Sequence, residues 1–234
     1  MVKPMDLGTV FDIRAPIAFP VVVSAPSGAG KTSLCRAVVE RDPQCLYSVS
    51  VTSRQRLISE ADGRDYTFVT RQAFEEGIRQ HRFVEWTEYR GSYYGTPREF
   101  LERAFKDGRT VLLDLDVIGA RTMKAAYPGC VTVYVLAPSL KELEKRLRGR
   151  GRDSEEEIGG RLNDASAEMN HIQEYDYTFV NEDFQASVQR LHSIIDAERY
   201  RVKRRLSPRM EAMIERNTPC ARVKNKTLRG EDAL

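Results

Sequence analysis

The segment over residues 19–33 constrains what this 234-residue chain can fold into more than any other stretch. A β-branched apolar run at 19–24 leads into a glycine-rich turn, after which apolar residues recur at helical spacing. Strand, glycine-rich loop and helix in this order open a parallel α/β unit, in which the loop N–H groups and the helix N-terminus bind phosphate. The loop matches A-x-x-x-x-G-K-T, which predicts an ATP site composed of Ala25, Pro26, Ser27, Gly28, Ala29, Gly30, Lys31, Thr32 and Ser33.

Three residues of this loop carry particular expectations. Lys31 is placed to put a positive charge on the β- and γ-phosphates, and the Thr32 hydroxyl is placed to bind magnesium. Ala25 stands where the general motif has glycine, so its φ must be negative. A chance glycine-rich helix start is the alternative, but the flanking strand and helix are the context that the motif requires.

Two further apolar runs, at 110–115 and 131–136, are continuous rather than alternating. This pattern is typical of parallel strands that helices cover on both faces. Asp114 closes the first run, at the strand end where α/β proteins collect ligands. Asp116 follows it, as either a second site carboxylate or the N-cap of the next helix. The chain is therefore predicted to have an α/β core.

Proline and capping patterns predict where the helices of the core begin. Pro97 occupies the first helical position of a segment over 97–105. Two capping boxes open further helices: Ser139 with Glu142, and Ser154 with Glu157. A long amphipathic stretch at 184–205 predicts one final helix.

Residues 47–96 differ from the rest, since short aromatic-rich segments alternate there with Gly, Asp and Arg. Such segments predict a small antiparallel sheet inserted into the core. The predicted organisation is an N-terminal extension (1–18), a core (19–46 and 97–206), the insert (47–96) and a C-terminal tail (207–234) with one short helix at 210–214.

Composition argues against several functional classes. A formal net charge of +3 is too small to indicate nucleic-acid binding. No apolar run approaches the ~18 residues of a membrane span, and the N-terminus lacks the features of a secretory signal. The four cysteines are isolated from one another, so neither a zinc site nor disulfides are expected. We therefore expect a cytoplasmic protein without nucleic-acid or membrane partners, and both a monomer and a homo-oligomer stay open.

The motifs together resemble the guanylate kinase family from about residue 19 to residue 205. The matching segments are SAPSGAGKTS (24–33), SVSVTSR (48–54), DGRDYTFV (62–69), FVEWTEYRGSYYGTPR (83–98), LLDLDVIGA (112–120), APSLKELEKRLRGRGRDSEEEIGGRL (137–162) and EYDYTFVNEDF (174–184). The resemblance implies a P-loop NTPase-type parallel core flanked by helices, a small mixed or antiparallel GMP-binding insert, and an arginine-bearing lid at about 146–162. It also implies that Mg²⁺ and the substrates ATP and GMP are bound, and that GMP, with dGMP, is phosphorylated.

The resemblance implies that Ser50, Glu85 and Thr96 meet the guanine. A carboxylate suits guanine because it can accept hydrogen bonds from N1–H and from the N2 amino group, whereas adenine has no such pair of donors. An exposed strand residue is the alternative for Glu85, but its aromatic neighbours favour a lined pocket. Asp114 is implied to face the guanine amino group or the water shell of the metal.

Cationic and phenolic side chains are implied around the phosphates, because arginine binds phosphate bidentately and a phenol adds a neutral donor. The GMP phosphate is assigned to Arg54, Tyr66 and Tyr94. The migrating phosphoryl group is assigned to Lys31, Arg146, Arg150 and Arg161, with Arg54 counted among the catalytic residues. A solvated basic helix end is the alternative for the arginine run, and Arg148 and Arg152 are expected at the surface. Gly149 and Gly151 are expected to act as hinges of the lid.

The chain departs from the family pattern at one position. The family carries R-x-P-R after its S-x-S strand, and both arginines reach the acceptor phosphate, whereas this chain reads Arg54-Gln55-Arg56-Leu57. Arg56 can replace the missing cation, the loop can be remodelled, or the site can bind the GMP phosphate less tightly. Partial compensation by Arg56 is the hypothesis that we favour.

Two rival functions come from other classes. One is a guanylate-kinase-like binding module that has lost catalysis, but such modules lack a working phosphate loop and Lys31 and Thr32 are present here. The other is a kinase of related fold that acts on a phosphorylated sugar, which has no reason to direct Glu85 and Ser50 at a purine.

Overall fold

The computed structural model describes residues 17–149, 151 and 154–205. Most of the predicted N-terminal extension and the whole predicted tail, with its short helix, therefore lie outside the described residues. Arg150 and Arg152 of the predicted lid lie outside them as well. Within the described part of the chain, no helix is long and apolar enough to cross a membrane.

The described residues form strands β1 (Pro20–Ser24), β2 (Cys45–Tyr47), β3 (Val51–Thr52), β4 (Thr67–Phe68), β5 (Phe83–Tyr89), β6 (Ser92–Pro97), β7 (Thr110–Asp114), β8 (Val131–Leu136) and β9 (Tyr177–Val180). Their helices are α1 (Lys31–Arg41), α2 (Arg71–Arg79), α3 (Arg98–Lys106), α4 (Val117–Ala126), α5 (Leu140–Gly149), α6 (Glu155–Met169), α7 (Phe184–Arg199) and α8 (Val202–Arg205), with a 3₁₀ turn at Ile172–Glu174.

The core is a five-stranded parallel sheet in the order β2-β7-β1-β8-β9. Every residue of β1 is buried, as its continuous apolar run predicts. Successive strand residues point to opposite faces, so Val21 and Val23 pack with α1, α5, α6 and α7, while Val22 packs with α3 and α4. The predicted class, a parallel α/β core flanked by helices, is confirmed.

A second sheet of four strands, in the order β4-β3-β6-β5, lies between β2 and α3 in the chain. Its β3–β6 and β5–β6 pairs are antiparallel, and its β3–β4 pair is parallel. The sheet is therefore mixed. Its ring contacts include Phe74 stacked on Phe83 at a centroid distance of 4.3 Å, which explains why this stretch is rich in aromatic residues.

Two of the predicted helix starts differ in the structure. Pro97 is not the first helical residue, because β6 runs directly into α3 and Pro97 is both the last strand residue and the N-cap. The box of Ser139 and Glu142 is only half formed, since the Glu142 N–H donates to Ser139 Oγ at 3.1 Å while the Glu142 carboxylate accepts from Arg146. The box at Ser154 is complete.

The predicted single helix at 184–205 is wrong, because α7 ends at Arg199 and α8 begins at Val202. The break lets the chain turn back on Glu198, whose carboxylate is 2% exposed. Glu198 accepts from Tyr177 Oη at 2.7 Å, from Arg201 Nη1 at 3.2 Å and from Arg204 Nη2 at 2.9 Å. A buried carboxylate needs such partners, and a periodicity argument cannot register this tertiary requirement.

Candidate active site

The glycine-rich loop joins β1 to α1 at the C-terminal edge of the core sheet. Gly28 and Gly30 have φ values of 99° and 97°, which side chains other than glycine rarely adopt. The Ala29 N–H donates to Pro26 O at 3.0 Å, and Gly30 is the N-cap of α1. Ala25 is not among the described residues with positive φ, which agrees with the expectation for an alanine at a position where the general motif has glycine. The local geometry is that of an anion-binding helix N-terminus.

Contacts from distant segments hold this loop. Asn181, at the end of β9, is buried, and its Nδ2 donates to Ala29 O at 2.7 Å. A Cβ on Gly30 would lie 2.9 Å from that nitrogen, so the approach leaves no room for another residue. Arg161 Nη1, from α6, donates to Ser27 Oγ at 2.7 Å. The phosphate loop is therefore tied both to the core sheet and to the predicted lid.

The side chains that follow the loop face a carboxylate on the neighbouring strand. Lys31 Nζ lies 3.4 Å from Ala25 O, so its ammonium curls back over the loop. Thr32 Oγ1 donates to Asp114 Oδ2, and Tyr47 Oη donates to Asp114 Oδ1 at 2.8 Å. Asp114 thus lies on the phosphate-loop side of the cleft, with a hydroxyl and a phenol as partners.

The predicted guanine reader, Glu85, is buried in β5 and only 5% exposed. Thr96 Oγ1 donates to Glu85 Oε1 at 2.5 Å. The pKa of Glu85 is raised from its ordinary 4.5 to about 7, chiefly by burial; the Thr96 bond opposes the shift and the charge of Asp116 contributes to it. A carboxylate can accept hydrogen bonds on both of its oxygens, so Glu85 is suited to accept from a pair of donors.

The end of β7 and the residues that follow it contact both sides of the cleft. Asp114 is bonded to Thr32, whereas a Cβ on Gly119 would lie 3.2 Å from Glu85 Oε2 and 3.3 Å from Asp116 Oδ1. Asp116 is the N-cap of α4, and its Oδ1 accepts from the Gly119 N–H at 2.7 Å. The N-cap interpretation of Asp116 therefore describes its hydrogen bond, while its charge also acts on Glu85.

The residues predicted to hold the acceptor phosphate are close together in the insert. Arg54 Cζ lies 5.4 Å from the Tyr66 ring centroid, and the Tyr66 and Tyr94 rings meet edge to face at 5.8 Å. Arg54 Nη2 pairs with Glu60 Oε1 at 2.7 Å. Burial raises the pKa of Tyr66 to about 12, so its phenol keeps its proton as a neutral donor. Ser50 is half-buried beside them, and its carbonyl accepts from Thr67 N.

The position where the family pattern is broken lies in a loop around Glu60. Leu57 is 43% exposed, and its N–H donates to Glu60 Oε2 at 3.0 Å. Arg56 Nη1 donates to the Glu60 carbonyl at 3.1 Å. Arg56 is thus exposed and bonded to its own loop, and its replacement of the missing arginine stays a hypothesis.

The described residues of the predicted lid lie on α5 and α6, with Gly151 and Ser154 between the two helices. Arg146 Nη2 donates to Asn181 O at 3.2 Å and its Nε to Glu142 Oε1 at 3.3 Å, so the residue that anchors the phosphate loop also positions this arginine. Arg148 is exposed and pairs with Glu144 and Glu155, as expected of a surface residue. Gly151 has a φ of 61°, and a Cβ at Gly149 would meet open space.

Within the described residues, the insert contacts α6, the helix that carries Arg161 of the predicted lid. Tyr89 Oη, near the tip of the β5–β6 hairpin, donates to Asp164 Oδ2 of α6 at 3.3 Å. Arg90, at the same tip, has a φ of 49° and its Nη2 lies 3.7 Å from Asp164 Oδ2. The insert and the helix that carries part of the predicted lid are therefore in contact across the cleft.

Sequence reasoning missed two residues that shape this site, Asn181 and Tyr47. Asn181 lies within one of the segments that carry the resemblance, and it directly follows β9, at the same edge of the sheet where Asp114 ends β7. The rule that ligand-binding groups follow parallel strands would have selected it. Tyr47 ends β2 in the same way.

Comparisons with known proteins agree with this geometry. A sequence model of the family described as guanylate kinase matches residues 18–198. A guanylate kinase of Nitrosospira multiformis is 44% identical over 185 residues, covering 79% of this chain and 88% of that protein. One of Desulfitobacterium hafniense is 43% identical over 185 residues, covering 79% and 92%. The crystal structure of guanylate kinase from Anaplasma phagocytophilum aligns with a TM-score of 0.69 and 29% identity, covering 86% of this chain and 96% of that chain.

Proposed function

The chain belongs to the guanylate kinase family, and from this premise and the geometry of the cleft we propose how its residues transfer the γ-phosphoryl group of ATP to GMP. It is an enzyme, a nucleoside monophosphate kinase that forms ADP and GDP. The observation that carries the proposal is the position of the buried Glu85, which accepts from Thr96 and lies beside Gly119. The same segment, 114–119, also contacts the phosphate loop, through the bond between Asp114 and Thr32.

Guanine recognition rests on the acceptor capacity of Glu85. One oxygen already accepts from Thr96, and the other lies beside Gly119 and Asp116. Guanine N1–H and the N2 amino group supply donors to an ionised carboxylate, while adenine would leave the buried charge unpaired. Arg54, Tyr66 and Tyr94 would bind the GMP phosphate, since they form one cationic and phenolic wall.

Transfer needs no general base, because the acceptor is already a phosphate oxyanion. The protein contributes position and positive charge, as phosphoryl transfer requires. Lys31 and the loop N–H groups would hold the β- and γ-phosphates. Arg146 and Arg161 would bind the migrating group from the lid, and we assign Arg150 to the same role by the family pattern. Contact between insert and lid would exclude water and suppress ATP hydrolysis.

The residues near the phosphate loop fit a magnesium ion. The Thr32 hydroxyl would be the protein ligand, and the Asp114 carboxylate, which accepts from that hydroxyl, supplies the hard oxygen chemistry that Mg²⁺ prefers. When bound, the ion would neutralise charge on the phosphate oxygens. Among the described residues, no cluster of three acidic, histidine or cysteine side chains could hold a metal ion.

No contact within the part of the chain that the structure describes favours either of the two rival functions. Lys31 and Thr32 are in place on an intact loop, which argues against an inactive binding module. Glu85 is buried in the insert, which argues against a sugar phosphate as acceptor.

A coupled assay of ADP release tests the proposal with GMP, dGMP, AMP, UMP and ribose 5-phosphate as acceptors. We expect turnover with GMP, and with dGMP, above all others. Calorimetric titration with ATP in magnesium separates the binding module, which would not bind it. Turnover with AMP equal to that with GMP would refute the role of Glu85, and turnover restricted to the sugar phosphate would refute the function.

A further inference from the structure

Helix α1 carries a side chain that reaches from the phosphate loop to the insert. Arg36 lies one turn after Thr32, so the two residues share a face of α1. Its Nη2 donates to Arg64 O at 2.6 Å and to Asp65 Oδ1 at 3.1 Å. Both acceptors immediately precede Tyr66, which stands in the proposed wall around the acceptor phosphate.

Asp65 is a prepared anchor for that guanidinium. Its Oδ2 accepts from the Ala61 N–H at 2.8 Å, and Arg64 Nη2 lies 2.9 Å from the same oxygen. The pKa of Asp65 is lowered to about 2, chiefly by the Ala61 bond and also by the two arginines, against the effect of burial. The carboxylate is therefore ionised throughout the neutral range, and its side chain is only 20% exposed.

A second route of contacts connects Arg36 with the magnesium side of the cleft. Its Cζ lies 5.5 Å from the Tyr47 ring centroid, and Tyr47 Oη donates to Asp114 Oδ1 at 2.8 Å. The other Asp114 oxygen accepts from Thr32 Oγ1. Contacts thus run without a gap from the hydroxyl that would bind the metal, through Asp114, Tyr47 and Arg36, to the insert loop.

We propose that Arg36 is a positioning residue, which holds the 61–66 loop, and with it Tyr66, at a fixed distance from the phosphate loop. The donor and acceptor phosphates must lie in line for transfer, and a displacement of about 1 Å can cost up to about a hundredfold in rate. Arg36 joins α1, which starts at the donor site, to the loop that borders the acceptor site, and in this way it sets the alignment of the two phosphates. This inference rests on the proposed function.

The test compares three variants in the full chain by steady-state kinetics. Arg36→Ala removes this connection, and Asp65→Asn removes the carboxylate charge while keeping an oxygen that can accept from Ala61. Arg64→Ala is the matched control, because Arg64 pairs with the same carboxylate but is 66% exposed and belongs to the insert itself. Wild-type turnover with GMP is measured first, and its absence overturns the proposed function together with this inference.

We expect Arg36→Ala to raise KM for GMP about tenfold and to change KM for ATP less than about twofold. The effect on KM for GMP is moderate because Arg36 and Asp65 are partly exposed, and solvent weakens their ion pair. Asp65→Asn should have a similar effect, and the effects of the two substitutions should not multiply in the double variant, since both act through the attachment of α1 to the 61–66 loop. Arg36→Lys should recover part of the loss, and Arg64→Ala should match wild type.

Three outcomes would overturn the inference. An unchanged KM for GMP in Arg36→Ala refutes the positioning role. An equal rise in KM for ATP, with a lower melting temperature, shows a structural role in α1. Multiplying effects of Arg36→Ala and Asp65→Asn show that Arg36 touches the acceptor directly rather than through the loop.

Discussion

Glu85→Gln tests both the stability of this active site and its reading of guanine. The substitution keeps the size of the side chain and one acceptor oxygen for Thr96, but it removes the charge. Glu85 is 5% exposed and its pKa is raised from 4.5 to about 7, first by burial and then by Asp116. The ionised carboxylate is therefore a cost to the folded protein when GMP is absent.

The sign of this cost depends on pH. Below about pH 4.5 the Glu85 carboxyl is protonated in both the folded and the unfolded chain and does not destabilise the fold. Between pH 4.5 and about pH 7 only the unfolded chain loses the proton, so the free energy of unfolding falls as pH rises. Above about 7 the full cost is present. A rise of this size corresponds to at most about 3 kcal/mol, and burying the new amide N–H donors offsets about 1 kcal/mol of it.

We therefore expect Glu85→Gln to raise the free energy of unfolding by about 1–2 kcal/mol near pH 8, and to have no stabilising effect near pH 4. Denaturant unfolding without nucleotide measures both. Glu88→Gln is the matched control, because Glu88 lies on the same strand but its side chain is 45% exposed and pairs with Arg71. It should change stability by less than about 0.5 kcal/mol at either pH.

The same variant should bind GMP poorly. An amide directed at the guanine donors leaves a mismatch of about 1–3 kcal/mol, which is about a five- to hundredfold rise in KM for GMP, with KM for ATP unchanged. In wild type, KM for GMP should also rise as pH falls below about 7, because Glu85 must be ionised to accept from both donors. The Glu85→Gln variant lacks the titration of Glu85 but keeps that of the GMP phosphate. The ratio of the wild-type and variant pH profiles of KM for GMP therefore isolates the contribution of Glu85.

Two results would refute this reasoning. A stability difference that does not vary with pH would show that Glu85 is not a costly buried charge. An unchanged KM for GMP would show that Glu85 does not read guanine, whatever its stability effect.

Four further predictions use the same assays. Lys31→Ala should lower kcat more than tenfold, about 1.4 kcal/mol or more of transition-state binding, without changing the melting temperature, and retained turnover would contradict the phosphate-loop assignment. Asn181→Ala should weaken ATP binding by about 1–3 kcal/mol, because the Ala29 carbonyl loses its donor, and should therefore raise KM for ATP more than KM for GMP; equal effects on both KM values would show a purely structural role. Glu198→Gln should lower the free energy of unfolding by about 3 kcal/mol, since two arginines lose their buried partner, while kcat stays at the wild-type value; a change below 1 kcal/mol would refute the anchor. Leu57→Arg should lower KM for GMP about tenfold if the native site lacks a cation there, and an unchanged KM would show that the site already compensates.

Local patterns predicted much of the fold. The phosphate loop, the buried strands and the capping box at Ser154 depend on residues near one another in the chain, where glycine geometry, strand periodicity and N-cap bonds act. The same patterns failed where tertiary contacts intervened. The helix expected at 184–205 breaks after Arg199, because Arg201 and Arg204 turn back to the buried Glu198.

The site divides in the same way. The sequence by itself determined the phosphate loop, because its glycines and the following Lys31 and Thr32 carry their chemistry locally. Its resemblance to the family supplied the candidate arginines and tyrosines and the prediction that Glu85 reads guanine. Only the tertiary structure decided that Asn181 holds the loop from 152 residues away and that Arg161 reaches Ser27 across 134. Such pairs are set by the packing of helices on a parallel sheet, which brings the C-terminal ends of its strands to one edge. Residue type can show which side chains are able to bind phosphate, but only that packing determines which of them meet.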